Sequence, residues 1–176
     1  MAMDPFVVGV ARLRRQLGAT VHTVVAGPFD PTGEMAPLAP GESYVPEGDD
    51  VSFDGVLECI PNGLVVRGAV TGRWRGLCRR CATKVGGPLE VTIRERYQEG
   101  ASPEDDEAYP LEGEMVDLGP AVRDAIVLEL PLAPLCSEDC KGICIECGAD
   151  RNSTDCGCEA PIDPRWATLD TLRRSD

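Results

Sequence analysis

The chain has 176 residues, is 43% hydrophobic but only 5% aromatic, and carries a formal net charge of −13. That length supports one domain with elaborations, or a core plus a small satellite, around an aliphatic interior. The charge argues against a protein that coats nucleic acid with its whole surface. No apolar run is long enough to span a bilayer, so no membrane partner is expected.

Residues 6–11 form a short apolar patch flanked by Asp4 and Arg12, the wrong arrangement for a secretory signal. Arg12, Leu13, Arg14, Arg15 and Leu17 suggest a short helix stopped by Gly18, and a strand is expected over 21–25. His22 is the one histidine. With no acid or nucleophile motif beside it, it reads as an ordinary strand residue and not as a catalytic base. Residues 27–50 are rich in Pro, Gly and acidic groups and read as loop.

Residues 51–60 and 63–76, separated by the Pro61-Asn62-Gly63 turn, predict an antiparallel hairpin. Cys59 has no partner at motif spacing and reads as a small buried hydrophobe. Next comes Cys78-Arg79-Arg80-Cys81, then another strand over 89–98 with Leu89, Val91 and Ile93 on one face. This Cys-x2-Cys therefore sits in a turn between strands. A thiol-disulfide catalyst would instead begin a helix, whose terminus lowers the thiol pKa.

Charge is segregated around that turn. Residues 73–96 carry Arg73, Arg75, Arg79, Arg80, Lys84, Arg94 and Arg96 against Glu90 and Glu95. Residues 97–119 carry eight acidic groups and no basic one. The bland reading of the basic set is a solvated strand face. The functional reading is a phosphate or RNA contact through Arg73, Arg75, Arg79, Arg80 and Lys84, with Trp74 as a stacking partner. The acidic run reads as a solvated loop. Residues 117–130 make the best helix: Pro120 suits its first turn, and Leu118, Val122, Ala125, Ile126 and Leu130 form an apolar stripe ended by Pro131 and Pro134.

The segment 135–158 then holds six of the nine cysteines, spaced Cys136-x3-Cys140-x3-Cys144-x2-Cys147 and Cys156-x-Cys158, with Gly142, Gly148 and Gly157 among them. With only Ile143, Ile145 and Ala149 between the sulfurs, apolar burial cannot offset the entropy of ordering this backbone. A structural zinc site contributes roughly 10 to 16 kcal/mol in small knuckles and would suffice. Paired cysteines at coordination spacing favour metal in a reducing cytoplasm over a disulfide framework. Cys78, Cys81, Cys136 and Cys140 would make one four-thiolate site and Cys144, Cys147, Cys156 and Cys158 a second, bringing the net charge to about −17. A single site of Cys136, Cys140, Cys144 and Cys147 is the rival, so one or two Zn2+ ions are expected. No ferredoxin spacing supports an iron-sulfur cluster. Beyond the knuckle, Asp163-Pro164 should start a short helix with Trp166, Leu169 and Leu172 on one side.

The expected fold is α+β: an antiparallel sheet or partly closed barrel with a packed helix over residues 1–134, and a zinc knuckle with a C-terminal helix over 135–176. No serine-histidine-acid set, phosphate-cradling glycine loop or metal site with a vacant position is visible, so neither catalysis nor a small-molecule substrate is expected. The run CRRCATKV, the helix leading through LPLAPLC into GICIECG, and the closing DPRWATLDTL resemble the YceD family, the large ribosomal RNA subunit accumulation proteins, and its actinobacterial members at the end. The resemblance implies a ribosome biogenesis factor supporting accumulation of large-subunit ribosomal RNA. Charge adds a preference for a basic ribosomal protein or a large-subunit precursor as partner, with ribosomal RNA contacted only through the basic patch. Two other functions stay open at this point: a thiol-disulfide redox protein using Cys78 and Cys81, and a zinc-bearing nucleic-acid-binding regulatory module.

Overall fold

A computed structural model describes residues 5–28, 43–102, 107–158 and Arg165. The expected C-terminal helix lies outside the described residues, as do residues 29–42 of the first loop and 103–106 of the acidic run. In chain order the elements are β1 (Val7–Gly9), a 3-10 turn (Leu13–Arg15), β2 (Thr20–Pro28), β3 (Asp50–Ile60), β4 (Gly63–Leu77), β5 (Lys84–Gln98), β6 (Tyr109–Pro110), β7 (Met115–Asp117) and α1 (Gly119–Glu129). β2 to β6 make one open sheet in sequence order, and β1 pairs with β7 in a separate two-stranded ribbon. All pairings are antiparallel except β5 with β6. Of the two forms expected, sheet or partly closed barrel, the open sheet is found.

Period-2 patterning divides the sheet into two faces. Val51, Phe53 and Leu57 of β3, Leu64, Val66 and Val70 of β4, and Leu89, Ile93 and Tyr97 of β5 are buried on the inner face. They form one cluster with Phe6, Val10, Leu13, Val116, the helix residues Ala121, Val122 and Ile126, and the flanking Leu118 and Leu130. The helix and the ribbon thus cover one face and leave the other to solvent. Gly55 and Gly68 stand opposite each other at the middle of β3 and β4. A Cβ on either would fall within 2.6 Å of the Phe53 ring; the missing side chains let that ring lie across the strand pair.

The β3–β4 turn falls where Asn62, at φ 61°, supplies the left-handed residue that a tight hairpin needs. The predicted helix over 12–17 contracts to three residues of 3-10 turn, because Gln16 is already extended and Gly18 takes φ 76°. The helix predicted over 117–130 is found as α1, shortened at its start because Asp117 belongs to β7. Asp117 instead accepts from the Gly119 N–H at 2.8 Å, holding the entry to the helix. Where the pairing of β3 with β4 ends at Thr71, Tyr44 completes the free edge of β4 through mutual backbone bonds with Arg75 of 2.7 and 2.8 Å.

Candidate metal centres

The β4–β5 hairpin is long, and its connection carries Cys78 and Cys81. The turn is closed by Cys78 N–H to Thr83 O and Ala82 N–H to Cys78 O, both 2.8 Å, with Ala82 at φ 57°. Segment 134–158 is tied back onto this turn by main-chain bonds: Arg79 N–H donates to Pro134 O at 2.9 Å and Ile143 N–H to Arg80 O at 3.0 Å. The Arg80 guanidinium donates to the carbonyls of Cys140 at 2.9 Å and Glu138 at 3.1 Å. Gly142 sits against the same place at φ 74°, where a Cβ would be 2.9 Å from Arg80 O.

These bonds gather the sulfurs of Cys78, Cys81, Cys136 and Cys140 within 4.8 Å of one another; the sulfurs of Cys144, Cys147, Cys156 and Cys158 form a second such group. This is the division that leaves Cys59 over, and Cys59 is buried in the sheet core, outside both groups. In the first group Cys78 Sγ lies 3.7 Å from Cys140 Sγ and Cys81 Sγ lies 3.6 Å from Cys136 Sγ. A disulfide would need about 2.05 Å. Sulfurs held at about 2.3 Å by one tetrahedral ion stand about 3.8 Å apart. The donor set therefore fits a four-thiolate ion and not a disulfide pair.

The second group is built by a tight loop. Cys144 N–H donates to Ala149 O at 2.8 Å and Gly148 N–H to Cys144 O at 2.9 Å, while Ile143 and Asp150 pair as an isolated bridge. Asn152, unnoticed in the sequence, links the groups: it lies between Cys147 and Cys156, its side-chain amide donates to Cys140 Sγ at 3.5 Å, and its Oδ1 accepts from Lys141 N–H at 2.8 Å. Only its position among paired cysteines could have drawn attention to it.

Without a cation the crowded thiols divide protons unequally. Burial pushes the Cys78 thiol up, but hydrogen bonds from the backbone of Cys136, Cys81 and Arg80 outweigh that and bring it to about 6. Cys136 is pushed up to about 12 by hydrogen bonding with Cys140 and Cys81, then by burial. The second group repeats this: the backbone of Cys147 and Glu146 holds Cys144 down to about 6, and Cys147 with Cys156 pushes Cys158 up to about 12. Four sulfurs this close cannot all ionise unless a cation offsets their repulsion.

The basic residues divide between the outer face of the sheet and the turn. Arg73 and Arg75 are exposed on the outer face of β4, and Lys84 is exposed at the start of β5. Arg79 is exposed on the turn, whereas the Arg80 side chain is occupied as the strut just described. The expected stacking role of Trp74 fails: its indole packs against the core cluster, over Gly87, on the face opposite the arginines.

The family model described as "Large ribosomal RNA subunit accumulation protein YceD" matches residues 66–173. An uncharacterized protein of Mycobacterium tuberculosis is 33% identical over 97% of this chain and 86% of its own length. The uncharacterized protein YlbN of Bacillus subtilis is 26% identical over 84% of this chain and 88% of its own. The chloroplastic YCED homolog 1 of Arabidopsis thaliana, named a large ribosomal RNA subunit accumulation protein, is 36% identical over 40% of this chain and 22% of its own. No solved structure matches. The matched stretch starts inside β4 and takes in β5, α1 and all eight clustered cysteines, and the chain belongs to the YceD family.

Proposed function

We propose that this protein is a cytoplasmic, non-catalytic factor of large-subunit ribosome assembly whose C-terminal segment is stapled to its sheet by two zinc ions. The observation that carries the reading is the pair of closed four-sulfur groups. An all-thiolate tetrahedral site leaves no position for water or substrate, so zinc here would be structural. The molecule then acts through its surfaces. The chain is acidic overall, with a formal net charge of −13, which favours a basic ribosomal protein, or a protein-rich face of a large-subunit precursor, as partner.

The redox alternative finds little support in the geometry. Cys78 and Cys81 are 2% and 8% exposed, and each lies against a sulfur from the C-terminal segment, so an incoming disulfide has poor access to either. The regulatory alternative lacks a helix placed for a DNA groove among the described residues.

The test is affinity capture from lysate at moderate salt together with sedimentation of the lysate. Ribosomal proteins should be recovered and the protein should comigrate with large-subunit precursors. Capture of deproteinised RNA alone, with no ribosomal protein, would overturn the reading.

A further inference from the structure

The outer face of the β4–β5 hairpin concentrates charge that the rest of the molecule opposes. Between residues 63 and 98 stand eight basic groups and two acidic ones, in a chain of net charge −13. Alternation puts Arg67, Arg73 and Arg75 of β4 and Lys84, Arg94 and Arg96 of β5 on that one exposed face, against Glu90 as the one acidic residue of these two strands there. Arg67 and Arg94 are direct cross-strand partners. Two like charges facing each other across a sheet are destabilising, and no packing need explains them there. Arg67 reaches Glu58 at 2.6 Å and Arg75 reaches Asp49 at 3.2 Å, both exposed pairs of small worth. Arg73, Arg94, Arg96 and Lys84 have no ion-pair partner among the described residues. From Arg96 to Lys84 the row runs about 40 Å along the strand.

An aromatic side chain completes the face. Tyr44 pairs directly with Arg75, so both side chains rise on the same side of the sheet, and Tyr44 is 46% exposed. It is flanked by the buried Ser43 and Val45, and Ser43 Oγ donates to Pro131 O at 2.6 Å, so the backbone that presents the ring is anchored.

We propose that this face binds single-stranded RNA, with Arg73, Arg75, Arg94 and Arg96 holding successive phosphates and a base stacking on Tyr44. Guanidinium forks suit phosphate oxygens, and a ring free on one side suits an unpaired base. The acidic remainder of the molecule repels RNA everywhere else, so a strand would be confined to this face. This deepens the assembly reading, on which it rests, by giving the protein an RNA contact in addition to a protein one.

Fluorescence anisotropy of a mixed-sequence single-stranded RNA, titrated with zinc-loaded full-length protein, tests it. Four phosphate contacts predict that log K falls against log salt with a slope of about −3. The triple variant Arg73→Ala, Arg94→Ala, Arg96→Ala should lose tenfold or more in affinity and flatten that slope. Tyr44→Ala should weaken binding about fivefold or more, with Tyr44→Phe near wild type. Absence of binding at low salt, or binding that neither the triple variant nor Tyr44→Ala changes, overturns the proposal. If the wild type comigrates with large-subunit precursors yet does not bind the oligonucleotide, this RNA face falls and the assembly reading stands. If the oligonucleotide binds but no precursor association is found, the assembly reading falls and the RNA face stands.

Discussion

Gly142 and Asn152 each hold the cysteine segment through one close approach. A methyl group at position 142 would meet Arg80 O at 2.9 Å in a backbone conformation that side chains disfavour. Asn152 supports a sulfur it does not belong with in sequence, being five residues beyond Cys147 yet bonded to Cys140 Sγ. Removing such a partner of a ligand commonly weakens metal binding about 10- to 100-fold. Asn152→Ala should therefore release one ion to a competing chelator earlier than the other, read with a chromogenic zinc indicator. Two ions released together at the wild-type chelator concentration would contradict the role. The two groups of four cysteines were legible in the sequence because close cysteine pairs at coordination spacing stand out there. Asn152 was not, because a side-chain amide that reaches a sulfur from another loop leaves no periodic trace.

Elements were legible where one local rule dominated. The hairpin of β3 and β4 followed from alternation plus Asn62-Gly63, and α1 from its apolar stripe; both are found within two residues of their expected ends. The short β1, β6 and β7 were not foreseen, since two or three residues carry no period. Trp74 misled because an aromatic among arginines looks exposed, whereas its register parity with Leu64 and Val70 turns it inward. The same parity brings Glu95 onto the helix side of the sheet, where burial and then the nearby Asp124 raise its pKa above 4.5. Asp124 itself accepts from Tyr109 Oη at 2.6 Å. A carboxyl whose folded pKa is raised loses stability as pH climbs from its unfolded value through the folded one. Glu95→Gln should thus raise the melting temperature at pH 7 and lose that advantage near pH 4, each compared with wild type at the same pH. An equal gain at both values would refute this.

Taken whole, the molecule is a two-layer sheet-and-helix body with a sulfur-rich segment fastened to one hairpin tip. Native mass spectrometry should find two zinc ions per chain, and still two in Cys59→Ala, because Cys59 belongs to the sheet core. Stripping the metal should leave the sheet: its inner face keeps the large cluster around Phe53, Tyr97 and Ile126. Hydrogen exchange should then accelerate over 135–158 while β3, β4 and α1 stay protected; uniform loss of protection would show instead that the ions support the whole body. Acidification should imitate chelation, since binding requires the sulfurs deprotonated.

The hairpin tip and its fastening partners are 55 to 62 residues apart in the chain. During synthesis Cys78 and Cys81 leave the tunnel first and, under the proposed two-zinc reading, must stay reduced and unclaimed until the other sulfurs follow. At 5–20 residues per second that interval is about 3 to 12 s. For those seconds the nascent chain carries an open pair of thiols in its hairpin turn, vulnerable to oxidation or to the wrong ion. Starvation for zinc should therefore harm newly made copies far more than old ones, whose clasp has already shut.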